Sequence, residues 1–142
     1  MLKETLKRFH LFANLSDDEL SKLSEIVKEK SYNKGDMIFF DTEPYIGFYI
    51  VKVGSVKIFK VSKEGREHIL HIISDGNSFA EVPLFENYKK INDEEFRYPA
   101  NAMALEESTQ VVRVPAREFT ELINRDPVIA MKLLSGFAKR LK

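Results

Sequence analysis

Phe48-Tyr49-Ile50-Val51-Lys52-Val53-Gly54-Ser55-Val56-Lys57-Ile58-Phe59-Lys60-Val61 is two apolar runs joined at a glycine. Both runs are rich in β-branched and aromatic residues, which suit a pleated, half-buried surface. In the second run Val56, Ile58 and Val61 nearly alternate with Lys57 and Lys60, and Phe59 breaks the pattern. Alternation of period two marks a strand with one face covered. Gly54 supplies the positive φ that a tight connection needs. The stretch therefore reads as a hairpin. His68 to Ile73 and Thr109 to Val114 are further short apolar runs, with turns at Lys34-Gly35-Asp36, Lys63-Glu64-Gly65 and Asp75-Gly76-Asn77. Many short strands at regular spacing, from about Ser31 to Pro115, predict a barrel or jelly roll.

The periodicity changes on both sides of this region. Ser16-Asp17-Asp18-Glu19 reads as a capping box, the hydroxyl of Ser16 meeting the Glu19 amide and the Glu19 carboxylate reaching back. Leu20, Leu23 and Val27 follow at helical spacing, and Leu15 is placed to staple onto that helix. After the strands, Pro115 opens a helix with Phe119, Leu122 and Ile123 on one side. Asp126-Pro127 is an N-cap acid followed by proline at the first helical position. Ile129, Leu133, Phe137 and Leu141 then step by four, a stripe too apolar to leave in water and expected to form a dimer seam. The basic residues of this last helix, Lys132, Lys139, Arg140 and Lys142, read as a solvated face or as a contact for DNA or a membrane surface. A helix ending on Arg140-Leu141-Lys142 has no C-cap glycine and reads as interrupted.

Composition removes several function classes. The chain has 142 residues, of which 44% are hydrophobic, enough for one real core. Lys plus Arg and Asp plus Glu each total 22, so bulk charge gives no reason to bind nucleic acid. With no cysteine there are no disulfides, thiolate metal sites or cysteine nucleophiles. Met1 to His10 lacks the apolar core of a signal peptide, and no stretch approaches the ~18 apolar residues of a membrane span. The expectation is a cytoplasmic protein without a membrane partner. No Ser–His–Asp set, glycine-rich phosphate loop or recognisable carboxylate pair supports an enzyme. His68 and His71 differ by three, so strict strand alternation sets them on opposite faces, unlike the His-x-His of a cupin metal site.

Leu11-Phe12 ahead of Leu15 to Leu20 resembles the opening of the sensor domains of CRP/FNR transcription regulators. Tyr32 to Phe39 is similar to their first barrel strands, and Phe48 to Ile58 followed by Gly65-Arg66-Glu67 to their central hairpin. Ser78-Phe79-Ala80-Glu81-Val82-Pro83-Leu84-Phe85 sits where that family carries its phosphate-binding cassette, and Tyr98-Pro99-Ala100-Asn101-Ala102 at its far end. The resemblance spans nearly the whole chain. It implies a mainly β fold with flanking helices, a double-stranded β-helix jelly roll of the cyclic-nucleotide-binding type. Residues 1–126 would hold the N-terminal helices, the sensor barrel and the following helix, and 127–142 the start of a long dimerisation helix. The helix-turn-helix domain that contacts DNA in the family is absent from this chain. The implied function is effector sensing, ligand binding being passed allosterically to the helix that pairs in a homodimer. A ligand-binding module acting on a protein partner is the alternative.

In nucleotide-binding members of the family a cassette glycine lets backbone approach the ligand, the next glutamate accepts from the ribose hydroxyl, and an arginine pairs with the phosphate. Here Ala80 replaces the glycine and Tyr98 falls at the arginine position, with Arg97 pointing the other way. Cyclic AMP is therefore not the expected effector. Glu81 is left either to meet a ligand hydroxyl or to bond loop amides or a nearby arginine. The expected cavity is bounded by Phe79, Ala80, Glu81, Val82 and Leu84, by Tyr98, Pro99 and Ala100, and by Ile129 and Leu133. Tyr98 would stack on a neutral or aromatic ligand. A haem would have only His10 to hold it.

Overall fold

A computed structural model describes residues 2–86 and 96–140. Eight strands, β1 Lys28–Tyr32, β2 Met37–Phe39, β3 Gly47–Val53, β4 Ser55–Val61, β5 Glu67–Ser74, β6 Ser78–Phe79, β7 Asn101–Ala104 and β8 Thr109–Pro115, build two antiparallel four-stranded sheets. One runs β1-β8-β3-β6 and the other β2-β7-β4-β5. Helices flank them: α1 Leu2–Lys7, a 3-10 turn at His10–Phe12, α2 Asp17–Ile26, α3 Val82–Glu86, α4 Ala116–Arg125 and α5 Pro127–Arg140. The fold is the expected mainly β type, with two open sheets rather than a closed barrel.

β3 explains why its first five residues are all apolar or glycine. It lies between β8 and β6, and Gly47 to Val51 are buried on both faces. On one face Tyr49 stacks on Phe79 at 5.2 Å and meets Phe39 at 5.7 Å. On the other Phe48 packs edge-on against Phe119 of α4 at 5.3 Å. Gly54 closes the turn into β4 at φ +100°, and a Cβ there would sit 2.6 Å from the Thr109 hydroxyl. β1 was not foreseen as a separate strand. Lys28-Glu29-Lys30-Ser31 is exposed and pairs with β8 at the sheet edge, where charge discourages pairing with other chains.

The capping box forms as read: the Ser16 amide donates to Glu19 Oε1 at 2.8 Å and the Glu19 amide to Ser16 Oγ at 3.2 Å. Glu19 also ties α5 down, since Lys132 Nζ donates to the same carboxylate oxygen at 2.6 Å. Lys132 is thus committed to a partner within the protomer rather than to the free basic face expected of it. Lys22 pairs with Asp126 at 3.0 Å and Asn14 bonds Ser135 at 3.2 Å, so the N-terminal helical segment holds α5 along its length. Among the described residues no helix is long and apolar enough to cross a membrane.

Candidate functional site

A cavity of about 640 Å³ opens between the 78–83 segment, the 96–100 segment and the β4–β5 hairpin. That volume lies within the range of small-molecule sites. Its apolar wall includes Phe39, Ile58, Leu70, Ile73 and Phe79, and its titratable side chains are His71, Glu81 and Arg97.

The cassette turn is held in an unusual backbone state. Ala80 has φ +65°, a left-handed conformation that glycine adopts freely and alanine does not. The Tyr45 hydroxyl fixes it by donating to the Ala80 carbonyl at 2.6 Å. The glycine geometry thus survives at this position with a methyl group added. Beside it the Ser78 hydroxyl donates to Glu81 Oε1 at 3.0 Å, so Glu81 has a structural partner while it lines the cavity. α3 then begins, with Val82 and Pro83 on the cavity wall.

The far end of the cassette pairs with residues 42–45. Thr42 N donates to Tyr98 O, Tyr98 N to Glu43 O and Tyr45 N to Phe96 O, each at 2.9 Å. On this extended segment Tyr98 turns inward: it is 2% exposed and stacks on Phe39 at 3.8 Å. Its hydroxyl donates to Gly47 O at 2.8 Å. Burial pushes that phenol up to about 12, so it remains a hydrogen-bond donor throughout the working pH range. Arg97, its neighbour in the chain, is exposed and contributes to the cavity wall.

The sequence pattern described as Cyclic nucleotide-binding domain matches residues 29–126. The chain belongs to this family. The sensor domain of the transcriptional regulator DNR from Pseudomonas aeruginosa superposes with a TM-score of 0.79 at 28% identity, covering 99% of this chain and 88% of that one. Full DNR gives 0.83, also at 28% identity, with 99% of this chain matching 59% of DNR. The Cyclic AMP receptor protein of Thermus thermophilus is 26% identical over 137 residues, 96% of this chain and 59% of that protein. The cGMP-dependent protein kinase egl-4 of Caenorhabditis briggsae is 29% identical over 121 residues, 83% of this chain but 15% of the kinase. The chain thus spans about 59% of the two regulators, and the domain type also occurs within a protein kinase.

Within this cyclic nucleotide-binding domain, six of the ten expected cavity positions line the cavity: Phe79, Ala80, Glu81, Val82, Pro99 and Ala100. Four do not. Leu84 is buried in the core. Tyr98 faces inward because its hydroxyl is spent on Gly47, so stacking on a ligand is not open to it. Ile129 and Leu133 are closed within the protomer's own core, where α5 packs on the 3-10 turn and α4. For the same reason these two cannot supply an exposed dimer seam. Phe137 meets Phe85 of α3 edge-on at 5.3 Å, and Leu141 lies outside the described residues. The outward apolar residues of α5 are Val128, Met131 and Leu134, at 55%, 67% and 61% exposure.

Sequence reasoning missed Ile58, Leu70, His71, Ile73, Phe96 and Arg97. The β4–β5 register pairs Ile58 with His71 and Phe59 with Ile69, leaving Leu70 as an extra residue. This bulge interrupts the strict alternation on which the opposite-face reading of His68 and His71 rested. Among the described residues no group of three or more His, Cys, Asp or Glu is placed to hold a metal. His10 is exposed in the 3-10 turn and does not line the cavity, so a haem held by His10 does not fit this geometry.

Proposed function

We propose that the chain is the effector-sensing domain of a CRP/FNR-like DNA-binding transcription regulator, in which a ligand in the cavity biases the placement of α5. The observation that carries this reading is α3, which touches both sites. Its first residues, Val82 and Pro83, form cavity wall, and its Phe85 ring meets Phe137 of α5 at 5.3 Å and Phe119 of α4 at 6.5 Å. A ligand that prefers one position of α3 must also prefer one packing of Phe85 against Phe137, and so shifts the α5 population. The likeness to the DNR sensor domain over 99% of this chain supports the same reading.

Self-association is assigned to the outward face of α5, Val128, Met131 and Leu134, rather than to the inward stripe. Met131→Glu and Leu134→Glu should weaken any dimer seen by sedimentation while leaving the thermal midpoint nearly unchanged. Cyclic AMP is not assigned as the effector, since Ala80 crowds the cassette turn and Tyr98 offers no charge. Calorimetric titration with cyclic AMP should give no micromolar binding. Coupling is tested by hydrogen exchange of the α5 amides with a cavity ligand bound. Protection of α5 should change in the natural protein and change less in Phe85→Ala. A ligand that fills the cavity without altering α5 exchange would overturn the sensor reading.

A further inference from the structure

One cation stands on the cavity wall. The Arg97 backbone is positioned by its bridge to Pro44, yet among the described residues its exposed guanidinium enters no ion pair. The rest of the wall is mostly hydrocarbon and aromatic ring, with Glu81 and His71 the other titratable groups and the Ser78 hydroxyl already bonded to Glu81. We infer that the cavity takes a monocarboxylic acid with an apolar body, its carboxylate paired with Arg97 and its aromatic or aliphatic part among Phe39, Phe79, Ile58, Leu70 and Ile73. This rests on the cavity being the effector site.

Three physical points select that class. A guanidinium binds a carboxylate with two parallel hydrogen bonds, and at an exposed position it loses little hydration before the ligand arrives. A dianionic headgroup would bring a second negative charge into a site that also contains Glu81. A ligand body rich in polar atoms would bury groups that this wall has few side chains to satisfy. The site thus separates one charged end from one apolar end, as an apolar acid does.

The test is calorimetric titration of the whole chain with 4-phenylbutyrate and its uncharged counterpart 4-phenylbutan-1-ol, on the natural protein and on Arg97→Gln. Arg97 is exposed, so the variant should fold, and its thermal midpoint checks this. The acid should bind about fivefold more tightly than the alcohol, the upper range for a solvent-exposed ion pair. In Arg97→Gln the preference should vanish while alcohol binding stays constant. Equal binding of acid and alcohol to the natural protein, or a preference that survives in Arg97→Gln, overturns the charge assignment and leaves the effector site standing. No binding of either compound overturns this inference and removes the cavity's support as an effector site.

Discussion

Gly136 sits on the buried side of α5, where the helix crosses the 3-10 turn at His10–Phe12. A Cβ at this position would lie 2.8 Å from the Leu11 carbonyl oxygen, 3.1 Å from that of His10 and 3.1 Å from the Leu11 Cα. All three are backbone atoms, so no side chain can swing aside. Two effects of Gly136→Ala oppose each other. In a free helix the change would stabilise by about 1 kcal/mol, because alanine loses less backbone freedom than glycine. Overpacking against fixed backbone costs about 1–3 kcal/mol. The contact wins, leaving a net loss of about 1 kcal/mol, which at this chain length lowers the thermal midpoint by about 4 °C. Thermal melting followed by far-ultraviolet circular dichroism measures it. Ala138→Gly, on the exposed side of the same helix, is the control and should also lose about 1 kcal/mol. A midpoint raised by about 4 °C in Gly136→Ala would mean that α5 does not approach the turn this closely, and the docking of α5 would have to be redrawn.

Tyr98→Phe removes the donor to Gly47 O and should cost about 1–2 kcal/mol in urea unfolding, while ligands that reach the cavity bind unchanged. Ala80→Gly relieves a left-handed alanine at φ +65° and should stabilise by about 0.5 kcal/mol, strain relief exceeding the added freedom of the unfolded chain. The Lys132 ammonium, helped by the amide of Ser16, holds the Glu19 carboxyl below its ordinary value near 4.5. Its folded pKa is thus below its unfolded one, so its stabilisation is complete above the unfolded value and is lost as pH falls through the folded one. Glu19→Gln should therefore flatten the acid limb of a stability–pH curve and leave its shape near neutrality unchanged.

What the sequence revealed depended on whether a residue's neighbours were close in the chain. β4 has the bounds its alternation predicted, and β3 begins one residue earlier than read. The capping box needs only residues 16 to 19, and it forms as written. β1 carries no apolar period because it is an exposed edge, so pattern reading had nothing to detect. The cavity divides in the same way. Phe79 to Val82 and Pro99–Ala100 belong to the cassette and were legible, whereas Ile58, Leu70 and Ile73 arrive from strands of the other sheet through its topology. At 97 and 98 the alternation itself was clear. Which neighbour faces inward was decided by pairing with residues 42–45, and that reversed the expected roles of tyrosine and arginine.

α5 shows why an apolar stripe alone does not name its partner. Ile129 and Leu133 have the spacing of a dimer seam, yet the same spacing lets a helix close its own domain, and here they are buried. The polar contacts settle the orientation of the helix: Lys132 reaches Glu19, Ser135 reaches Asn14, and Gly136 lets the backbone of the 3-10 turn approach. These contacts bind α5 to the N-terminal segment, while Phe137 meets α3 through Phe85. In the proposed sensor a ligand in the cavity would act at that contact rather than against the whole interface of α5. It would alter the packing of Phe85, at the end of the helix that follows the wall residues Val82 and Pro83. If the coupling runs through that aromatic contact, the energy available for switching is of the order of 1 kcal/mol, the worth of an edge-on pair. A full reversal of a strongly biased equilibrium needs about 5 kcal/mol. The proposed sensor must then hold its two α5 states near balance before the ligand binds, or draw the remainder from the outward Met131–Leu134 face in a dimer.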